Sequence, residues 1–403
     1  MYYAAMVLSA RNLNKTLSKI LLISALFTVS AAASTGLFAE TASVSAAASE
    51  TPASLSAADY LDFTFCGDLM AHNVNFNSKD YSSIYKDIEC ITQNDDLTFT
   101  NLETPVTESL PYSSYPEFNV HAEYVNAAIN AGFDVFSTAH NHTNDQGKKG
   151  IAATYRFFED APVYASGLKA EGLKSLNYEI INVKGWKILF TAVTELLNRY
   201  SDMERINYIE PTDRGYGKFI SEIQEIKSKN KCDLVILSIH TCEEEYVTRI
   251  SSERKKKFKR LLDSGADIIW ANHPHVPRSW EIYRDKETGR NTKLVMYGLG
   301  NLISGQRIKY NTENPEDNLE NKGDGIIMQV SAVKDENGVY FDYIEPYFIT
   351  THIDDDWNFI IKRYTQSFIN FPGKTGRTKL LSEYYKKRYS YLIKNFSGNI
   401  ICP

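Results

Sequence analysis

Side chains that can bind a metal ion or move a proton follow five apolar segments of this chain. Each segment is followed by carboxylate, amide or imidazole groups, and the residues concerned are Asp68, Asn101, Glu103, His140, Asn141, His142, His240, Asn272, His273 and His275. Five of the eight histidines occupy these positions. In open α/β sheets the ligand crevice lies beyond the carboxyl ends of the strands, so we expect these side chains to meet. A set of oxygen and imidazole donors is compatible with Mn, Fe, Zn or Mg as a divalent metal. The donor set does not identify which of these metals binds.

The most specific of these elements is His273-Pro274-His275. Proline disfavours a helical conformation in the residue before it, and residues two apart on an extended segment project to the same side. Both imidazoles can therefore face one point, which suits a metal ion. Taken singly, the other residues also fit structural roles: Asp68 is typical of a turn or cap, and a lone His240 can be a hydrogen-bonded structural histidine.

From residue 61 onward, short apolar runs alternate with segments of helical periodicity, which predicts a layered α/β domain. Strands are predicted over 61–66, 97–100, 133–138, 187–193, 233–239, 267–271, 293–297 and 325–333. Helices are predicted over 122–131, 148–160, 216–229 and 252–264. Residues 306–323 are polar and lack periodicity, so we interpret them as a loop. The Tyr- and Lys-rich segment 351–403 predicts a helical C-terminal extension packed on the domain.

The N-terminal residues have the pattern of a targeting segment. Arg11, Lys15 and Lys19 precede an uncharged run over 20–39. This predicts a signal peptide or membrane anchor over 1–40, with cleavage and retention both left open, then a flexible linker over 41–58 and the folded domain over 59–350. We therefore expect an extracytoplasmic protein at the cell surface, either secreted or anchored in the membrane through the N-terminal segment.

Charge argues against a nucleic acid as the partner. The 403 residues include 44 Lys and Arg against 50 Asp and Glu, a formal net charge of -6, so the chain has no global basic field. One dense basic run, RKKKFKR over 254–260, stands out. We interpret it as a solvated helix face, with contact to an anionic polymer as the alternative.

Six motifs then connect the sequence to a known family. They are FCGDLM, FTNLETPVT, STAHNHTNDQGKKGIAAT, ILSIHTCEEEY, GADIIWANHPHV and VMYGLGNLI, in family order from about residue 62 to 303. With these motifs the chain resembles the capsule-synthesis protein CapA family, the poly-γ-glutamate biosynthesis proteins, which are related to calcineurin-like metallophosphatases. The resemblance implies a four-layer α/β sandwich of the metallophosphatase type over 59–350, with a metal site at the strand ends.

The resemblance also implies roles for individual residues. It implies metal ligands at Asp68, Glu103, His240, His273 and His275, with Glu103 in the place of the bridging acid. It implies that Asn141 and His142 stabilise charge on the reacting group. Candidate substrate-binding residues are Asn101, His140, Glu244, Glu245 and Asn301.

Three departures from the family pattern qualify these roles. Met70 stands where metallophosphatases usually have a histidine, so the site is expected to hold one or two ions, and His72 is a candidate substitute. The TCEEEY segment is one residue longer than the family pattern, which leaves open whether Glu244 or Glu245 takes the glutamate role. His140 stands where the family commonly has Asn, and it is either part of the site or a structural histidine.

These observations predict an exported CapA-like protein that acts in the synthesis, export or processing of an anionic polymer such as poly-γ-glutamate. A metal-dependent hydrolase is the expected activity, because a metal polarises a phosphoryl or carbonyl oxygen. Capsule-synthesis membrane proteins are the expected protein partners. Two alternatives stay open: a generic extracytoplasmic phosphoesterase acting on phosphorylated substrates, and a noncatalytic scaffold that binds the polymer without turnover.

Overall fold

The computed structural model describes residues 59–373 and 378–402. The predicted signal peptide or anchor over 1–40 and the linker over 41–58 lie outside the described residues, so both stay predictions. Within the described part, none of the helices combines the length and apolar character needed to cross a membrane.

The strands are β1 (Tyr60–Leu69), β2 (Leu97–Leu102), β3 (Val135–Ser137), β4 (Tyr164–Ser166), β5 (Glu179–Val183), β6 (Trp186–Thr194), β7 (Leu234–His240), β8 (Ile268–Asn272), β9 (Trp280–Arg284), β10 (Asn291–Met296), β11 (Asn301–Ile303), β12 (Asp324–Asp335), β13 (Gly338–Ile353), β14 (Phe359–Arg363) and β15 (Gly398–Ile401). The helices are α1 (Asn73–Phe76), α2 (Ser82–Tyr85), α3 (Glu89–Thr92), α4 (Ala122–Asn130), α5 (Gly147–Asp160), α6 (Asp213–Lys229), α7 (Ser252–Asp263), α8 (Gln366–Asn370) and α9 (Thr378–Asn395). Short 3-10 helices lie at Met203–Arg205 and Asn318–Gly323. All the predicted strands and helices are present, with their ends shifted by a few residues.

The sheet consists of two parallel halves joined by antiparallel strands. In one half β1, β2, β3 and β4 run parallel to their neighbours, and in the other β6, β7, β8 and β10 do the same. The long antiparallel strands β12 and β13 connect β1 to β10. Because the strands within each half are parallel, their carboxyl ends share one edge, and the loops that leave those ends carry the predicted site.

The two halves face each other across an aromatic core. Phe65 of β1 and Phe99 of β2 lie 6.0 and 6.2 Å from Trp270 of β8, measured between ring centroids, and Phe99 lies 5.6 Å from Phe190 of β6. The side chains of a strand alternate between its two faces, so each half also has an apolar outer face.

Helices cover both outer faces. The face of the β1 half packs against α2, α4 and α5, while that of the β6 half packs against α6 and α7. The layers therefore run helix, sheet, sheet, helix. The predicted four-layer α/β sandwich is confirmed.

The C-terminal segment differs in part from the prediction of a helical extension. It contains α8 and α9, but also β14, which pairs with β13, and β15, which pairs with β9. The expected boundary at residue 350 lies inside β13, so it does not separate two structural units. Tyr384 and Tyr385 of α9 join the core between the sheets. Tyrosine-rich sequence suits strands as well as helices, and pairing with the existing sheet decided which parts became strands.

Candidate metal centre

The strand ends place the five predicted metal ligands in one buried site. Asp68 lies near the end of β1, Glu103 directly follows β2, and His240 ends β7. His273 and His275 follow β8. All five side chains are at most 3% exposed, so any charge they carry must be balanced inside the protein.

Two glycines allow the backbone to bring Asp68 into this site. A Cβ atom at Gly67 would lie 1.9 Å from the carbonyl oxygen of Gly300, and Gly300 itself has a φ of 70°. Only glycine accommodates both the close approach and the left-handed conformation without strain. As a result β1 and β11 run side by side, and Asp68 stands opposite Asn301.

Glu103 is the centre of the site. Its donor atoms lie within 4.8 Å of those of His273 and His275 in one group, and within 4.8 Å of those of Asp68 and His240 in a second group. His275 connects the two carboxylates, because its Nδ1 lies 3.1 Å from Asp68 Oδ2 and its Nε2 lies 3.4 Å from Glu103 Oε1. A residue shared by two donor groups is what a bridging position between two cations requires.

Several buried atoms of the site have no hydrogen-bond partner within residues 59–373 and 378–402. They are Asn101 Oδ1, Glu103 Oε1, His140 Nδ1 and His273 Nδ1. Each such atom costs about 1–3 kcal/mol when it is buried unpaired. Glu103 and His273 belong to one donor group, so one cation could contact both residues, and the donor set of carboxylate oxygens and imidazole nitrogens fits the divalent metals expected from the sequence. The residues therefore fit a divalent metal.

Burial and neighbouring charges shift the pKa values of the site residues in opposite directions. Burial raises the pKa of Glu103 to about 7, and the Asp68 charge adds to this while His275 opposes it. Burial lowers the pKa of His275, but Glu103 and Asp68 outweigh burial and hold it well above its ordinary value. Burial and then His275 lower the pKa of His273 to about 3, and burial with neighbouring imidazoles keeps the pKa of His240 well below normal. Neutral imidazoles are the form that binds metals.

The backbone of the His-Pro-His element is not the one predicted. His273 and His275 have φ angles of 99° and 56°, so the segment is a turn with left-handed residues and not an extended strand. Such conformations cost of the order of 1–3 kcal/mol each in residues other than glycine. The imidazoles nevertheless reach the same carboxylate, with their ring centroids 5.8 Å apart. The extended-segment argument was wrong, because tertiary contacts overrode the usual preference of the residue before proline.

Asn141 and His142 lie beside this site. His240 Nε2 is 3.0 Å from Asn141 Oδ1, and His142 Nδ1 is 2.7 Å from Asp145 Oδ2. We assign the Nδ1 hydrogen of His142 to this short bond because the acceptor is a carboxylate. His142 Nε2 then has no hydrogen-bond partner in the described residues. Asn141 and His142 also line a pocket of about 290 Å³.

The structure also places the predicted substrate-binding residues. Asn101 donates to Asp68 Oδ1 at 2.8 Å, and Asn301 Oδ1 lies 3.1 Å from His275 Nδ1. His140 is buried, with its ring 6.1 Å from that of His240, and it belongs to neither donor group. Glu245 lines the pocket, whereas Glu244 is not part of its lining.

Met70 stands at the usual histidine position, and its candidate substitute, His72, lies outside both donor groups. Met70 is buried, and its carbonyl oxygen accepts a hydrogen bond from the hydroxyl of Tyr124. His72 Nδ1 accepts a hydrogen bond from the backbone N–H of Gly305 at 3.1 Å. In this conformation His72 does not take the missing role.

Sequence reasoning missed two residues that hold the pocket side chains. Asp145 orients His142, and Asn198 contacts both His142 Nδ1 and Asn141 Nδ2, at 3.2 and 3.3 Å. Asp145 could have been found, because it lies three residues after His142 within the STAHNHTNDQG motif. Asn198 follows β6, so it too lies beyond the end of a parallel strand, but in a segment without histidines.

A further buried ion pair joins Glu195, which follows β6, to Arg254 of α7. Arg254 binds both carboxylate oxygens of Glu195, at 2.9 and 2.5 Å, and Tyr216 donates to the same carboxylate at 2.6 Å. Arg254 belongs to the basic run 254–260, and it is 4% exposed. The prediction of a solvated helix face is therefore wrong for this residue, because the buried Glu195 carboxylate binds it.

Comparison with known proteins agrees with the motifs. The family model described as bacterial capsule synthesis protein PGA_cap matches residues 62–306, more than half of the chain. The chain belongs to this family. Its matched region contains every residue of the PGA_cap site described above, from Asp68 to Asn301.

Two capsule or PGA biosynthesis proteins are similar to this chain at low identity. The capsule biosynthesis protein CapA of Bacillus anthracis is 28% identical over 260 residues, which is 61% of this chain and 60% of that protein. The PGA biosynthesis protein CapA of Bacillus subtilis (strain 168) is 26% identical over 259 residues, which is 62% of this chain and 64% of that protein. The aligned region thus spans less than two thirds of either relative.

Among solved structures, a hypothetical protein from Thermus thermophilus matches with a TM-score of 0.45 at 17% identity, covering 72% of this chain and 98% of that one. The calcineurin-like phosphoesterase YfkN from Bacillus subtilis matches with a TM-score of 0.42 at 10% identity, covering 83% and 98%.

Proposed function

We propose that this protein is a metal-dependent hydrolase that acts on poly-γ-glutamate, or on a closely related anionic polymer, during capsule synthesis. The single observation that carries the proposal is the position of Glu103 in two donor groups, inside a chain that belongs to the PGA_cap family. The name of the Bacillus subtilis relative, a PGA biosynthesis protein, supports the polymer, and that of the Bacillus anthracis relative supports the capsule.

The residues that would hold the metal are Asp68, Glu103, His240, His273 and His275. When bound, a divalent cation polarises the oxygen of the bond under attack. The chain's own residues then orient the reaction. Asp68 and Glu103 are kept in register by the amide of Asn101, which donates to both carboxylates at 2.8 and 3.3 Å.

His142 is the residue that would move a proton. Asp145 accepts the Nδ1–H hydrogen bond and fixes the ring. The Nε2 atom is then available to accept or donate a proton at the pocket. Asn141 is held by His240 and Asn198, which limits its side chain to one orientation. Its place beside the pocket suits an amide that stabilises charge developing on the substrate.

A polymer-shortening assay tests this function. Purified protein is incubated with poly-γ-glutamate and a divalent metal, and the polymer length and the bound metal are both measured. Glu103→Ala should lose bound metal and leave the polymer intact. His72→Ala is the matched control, because His72 is a nearby histidine outside both donor groups. This variant should still bind metal and shorten the polymer.

The two rival functions make different forecasts in the same assay. Binding of the polymer without shortening would identify a noncatalytic scaffold. Hydrolysis of a phosphomonoester with an intact polymer would identify a generic phosphoesterase. Either result would replace the proposed activity.

The proposal places the folded domain outside the cytoplasmic membrane, where the capsule-synthesis membrane proteins would be its partners. The support for this location is the basic-then-apolar N-terminal sequence. A reporter that is active only in the cytoplasm, fused to the C-terminus, should give no signal. Strong reporter activity would contradict the location.

A further inference from the structure

The pocket beside His142 has one cationic side chain. Among the described residues that line it, Arg199 is the basic one, whereas Glu117, Asp145 and Glu245 are acidic. Arg199 is therefore the guanidinium with which an anionic group entering this pocket can pair. Guanidinium is well suited to this, because its planar fork binds a carboxylate through two parallel hydrogen bonds.

Hydrogen bonds to the segment that carries Asn141 and His142 fix the backbone of Arg199. Asn144 Nδ2 donates to the carbonyl oxygens of Arg199 and Ser201, at 2.6 and 2.8 Å. The backbone N–H of the neighbouring Asn198 donates to the carbonyl oxygen of Asn141 at 3.0 Å. Arg199 Nη1 also donates to the carbonyl oxygen of Asp145 at 3.2 Å. The guanidinium is thereby held next to the proton-transfer pair His142 and Asp145.

A carboxylate of the protein itself pairs with one arm of the Arg199 guanidinium. Arg199 Nη2 forms an ion pair with Glu117 Oε1, and the two side chains are 46% and 50% exposed. Glu117 lies on the loop between β2 and α4 and also lines the pocket. No other ion pair or hydrogen bond to the Glu117 carboxylate is present in the described residues. Half-exposed ion pairs contribute little to stability, so another carboxylate can replace Glu117 at small cost.

We infer that Arg199 is a specificity-determining residue that binds a carboxylate of the polymer substrate, and that Glu117 occupies this subsite until the polymer displaces it. The inference rests on the proposed function for the identity of the polymer. Poly-γ-glutamate carries a free carboxylate on every residue of its chain, so any stretch of it that enters the pocket would offer a carboxylate to Arg199. The acidic lining makes Arg199 selective, because a carboxylate that misses the fork meets Glu245 or Asp145.

Equilibrium binding of fluorescently labelled poly-γ-glutamate to the full chain with bound metal tests the inference. Arg199→Gln should weaken binding at least tenfold. The affinity of Arg199→Lys, which keeps the charge but loses the planar guanidinium, should lie between those of wild type and Arg199→Gln. Glu117→Gln should tighten binding by a few fold, because the competing carboxylate is gone. A gain in affinity cannot come from misfolding, so this variant keeps the test independent of folding.

Arg260→Gln is the matched control. Arg260 is similarly exposed, at 41%, and pairs with Asp213 on the outer helices, so its loss should leave polymer affinity unchanged. Equal binding by wild type and Arg199→Gln would overturn the inference and leave the proposed function standing. Weakening by Arg260→Gln as large as that by Arg199→Gln would also overturn it, since it would mean non-specific charge attraction. Absence of binding by both wild type and Glu117→Gln would overturn the inference together with the proposed polymer.

Discussion

Two buried glutamates, Glu103 and Glu195, occupy equivalent places in the two halves of the sandwich. Each directly follows a parallel strand, β2 or β6, and they are 0% and 1% exposed. The Glu195 carboxylate accepts hydrogen bonds from Arg254, Tyr216 and the backbone N–H of Cys242. Glu103 Oε1, in contrast, accepts none from the part of the chain that the structure describes.

Their pKa values move in opposite directions. Burial raises the pKa of both carboxyls, but the hydrogen bonds and charge of Arg254 outweigh burial at Glu195 and bring its pKa below the ordinary value. At Glu103 burial prevails and the pKa rises to about 7. Glu195 is thus a closed carboxylate, meaning that a cation from a helix pairs with it. Glu103, at the same kind of strand end, is an open carboxylate, meaning that imidazoles surround it and one oxygen is left to bind a metal.

Breaking the closed pair should have the largest effect. In Arg254→Met the Glu195 carboxylate remains buried without its cation, so we expect the free energy of unfolding to fall by about 3–5 kcal/mol. Urea denaturation measures this. Replacing both partners, as in Glu195→Gln with Arg254→Met, should recover much of the loss, and no recovery in the double variant would show that the pair is not the cause.

Changing the open carboxyl should affect metal and not folding. Glu103→Gln removes the shared ligand, so we expect metal affinity to fall by at least about 10–100-fold, the range seen when even an outer partner of a ligand is lost. The metal-free variant should be as stable as wild type, or more so, because a buried carboxylate beside Asp68 has been made neutral. Metal analysis and denaturation in chelator provide the two values. Full metal occupancy would contradict the role of Glu103.

Loss of a positioning side chain should have a smaller effect. Asn198→Ala frees Asn141 and His142 without removing a ligand, so we expect polymer turnover to fall about tenfold while bound metal is unchanged. Because the Asn198 amide lies 3.2 Å from His142 Nδ1, its loss should also move the pH profile of turnover. A drop in metal content equal to that in turnover would instead mean that Asn198 supports the ligands.

The smallest expected difference is in the pH dependence of stability. Glu195 has a lowered folded pKa, so its stabilisation is present above its unfolded value of 4.5 and is lost as the pH falls through the folded pKa. Glu103 has a raised folded pKa, so its contribution is present below 4.5 and is lost as the pH rises through about 7 in metal-free protein. Glu195→Gln should flatten the acid side of the stability profile, and Glu103→Gln the side between pH 4.5 and 7. If stability depended on pH in the same way in both variants, the proposed difference between Glu195 and Glu103 would be contradicted.

The layered α/β architecture and the residues at the strand ends could be predicted without coordinates. Apolar runs of strand length and helical periodicity are local properties, so the buried strands and the long helices were directly recognisable. The order of the strands along the chain then placed Asp68, Glu103 and His240 at carboxyl ends, where the structure brings them together. Strands with half-exposed, mixed composition, such as β13 and β14, give no such local signal and were missed.

The pairing of the polar groups, in contrast, became known only from the folded chain. The left-handed turn at His273 and His275, the choice of Glu245 over Glu244 at the pocket, and the capture of Arg254 by Glu195 all depend on where distant loops lie. Asn198 and Arg199 reach Asn141 and Asp145 across more than fifty residues of sequence. A hydrogen bond or ion pair requires contact within a few ångströms, and no periodicity in the sequence encodes that contact, so the open or closed state of each buried charge follows from packing alone.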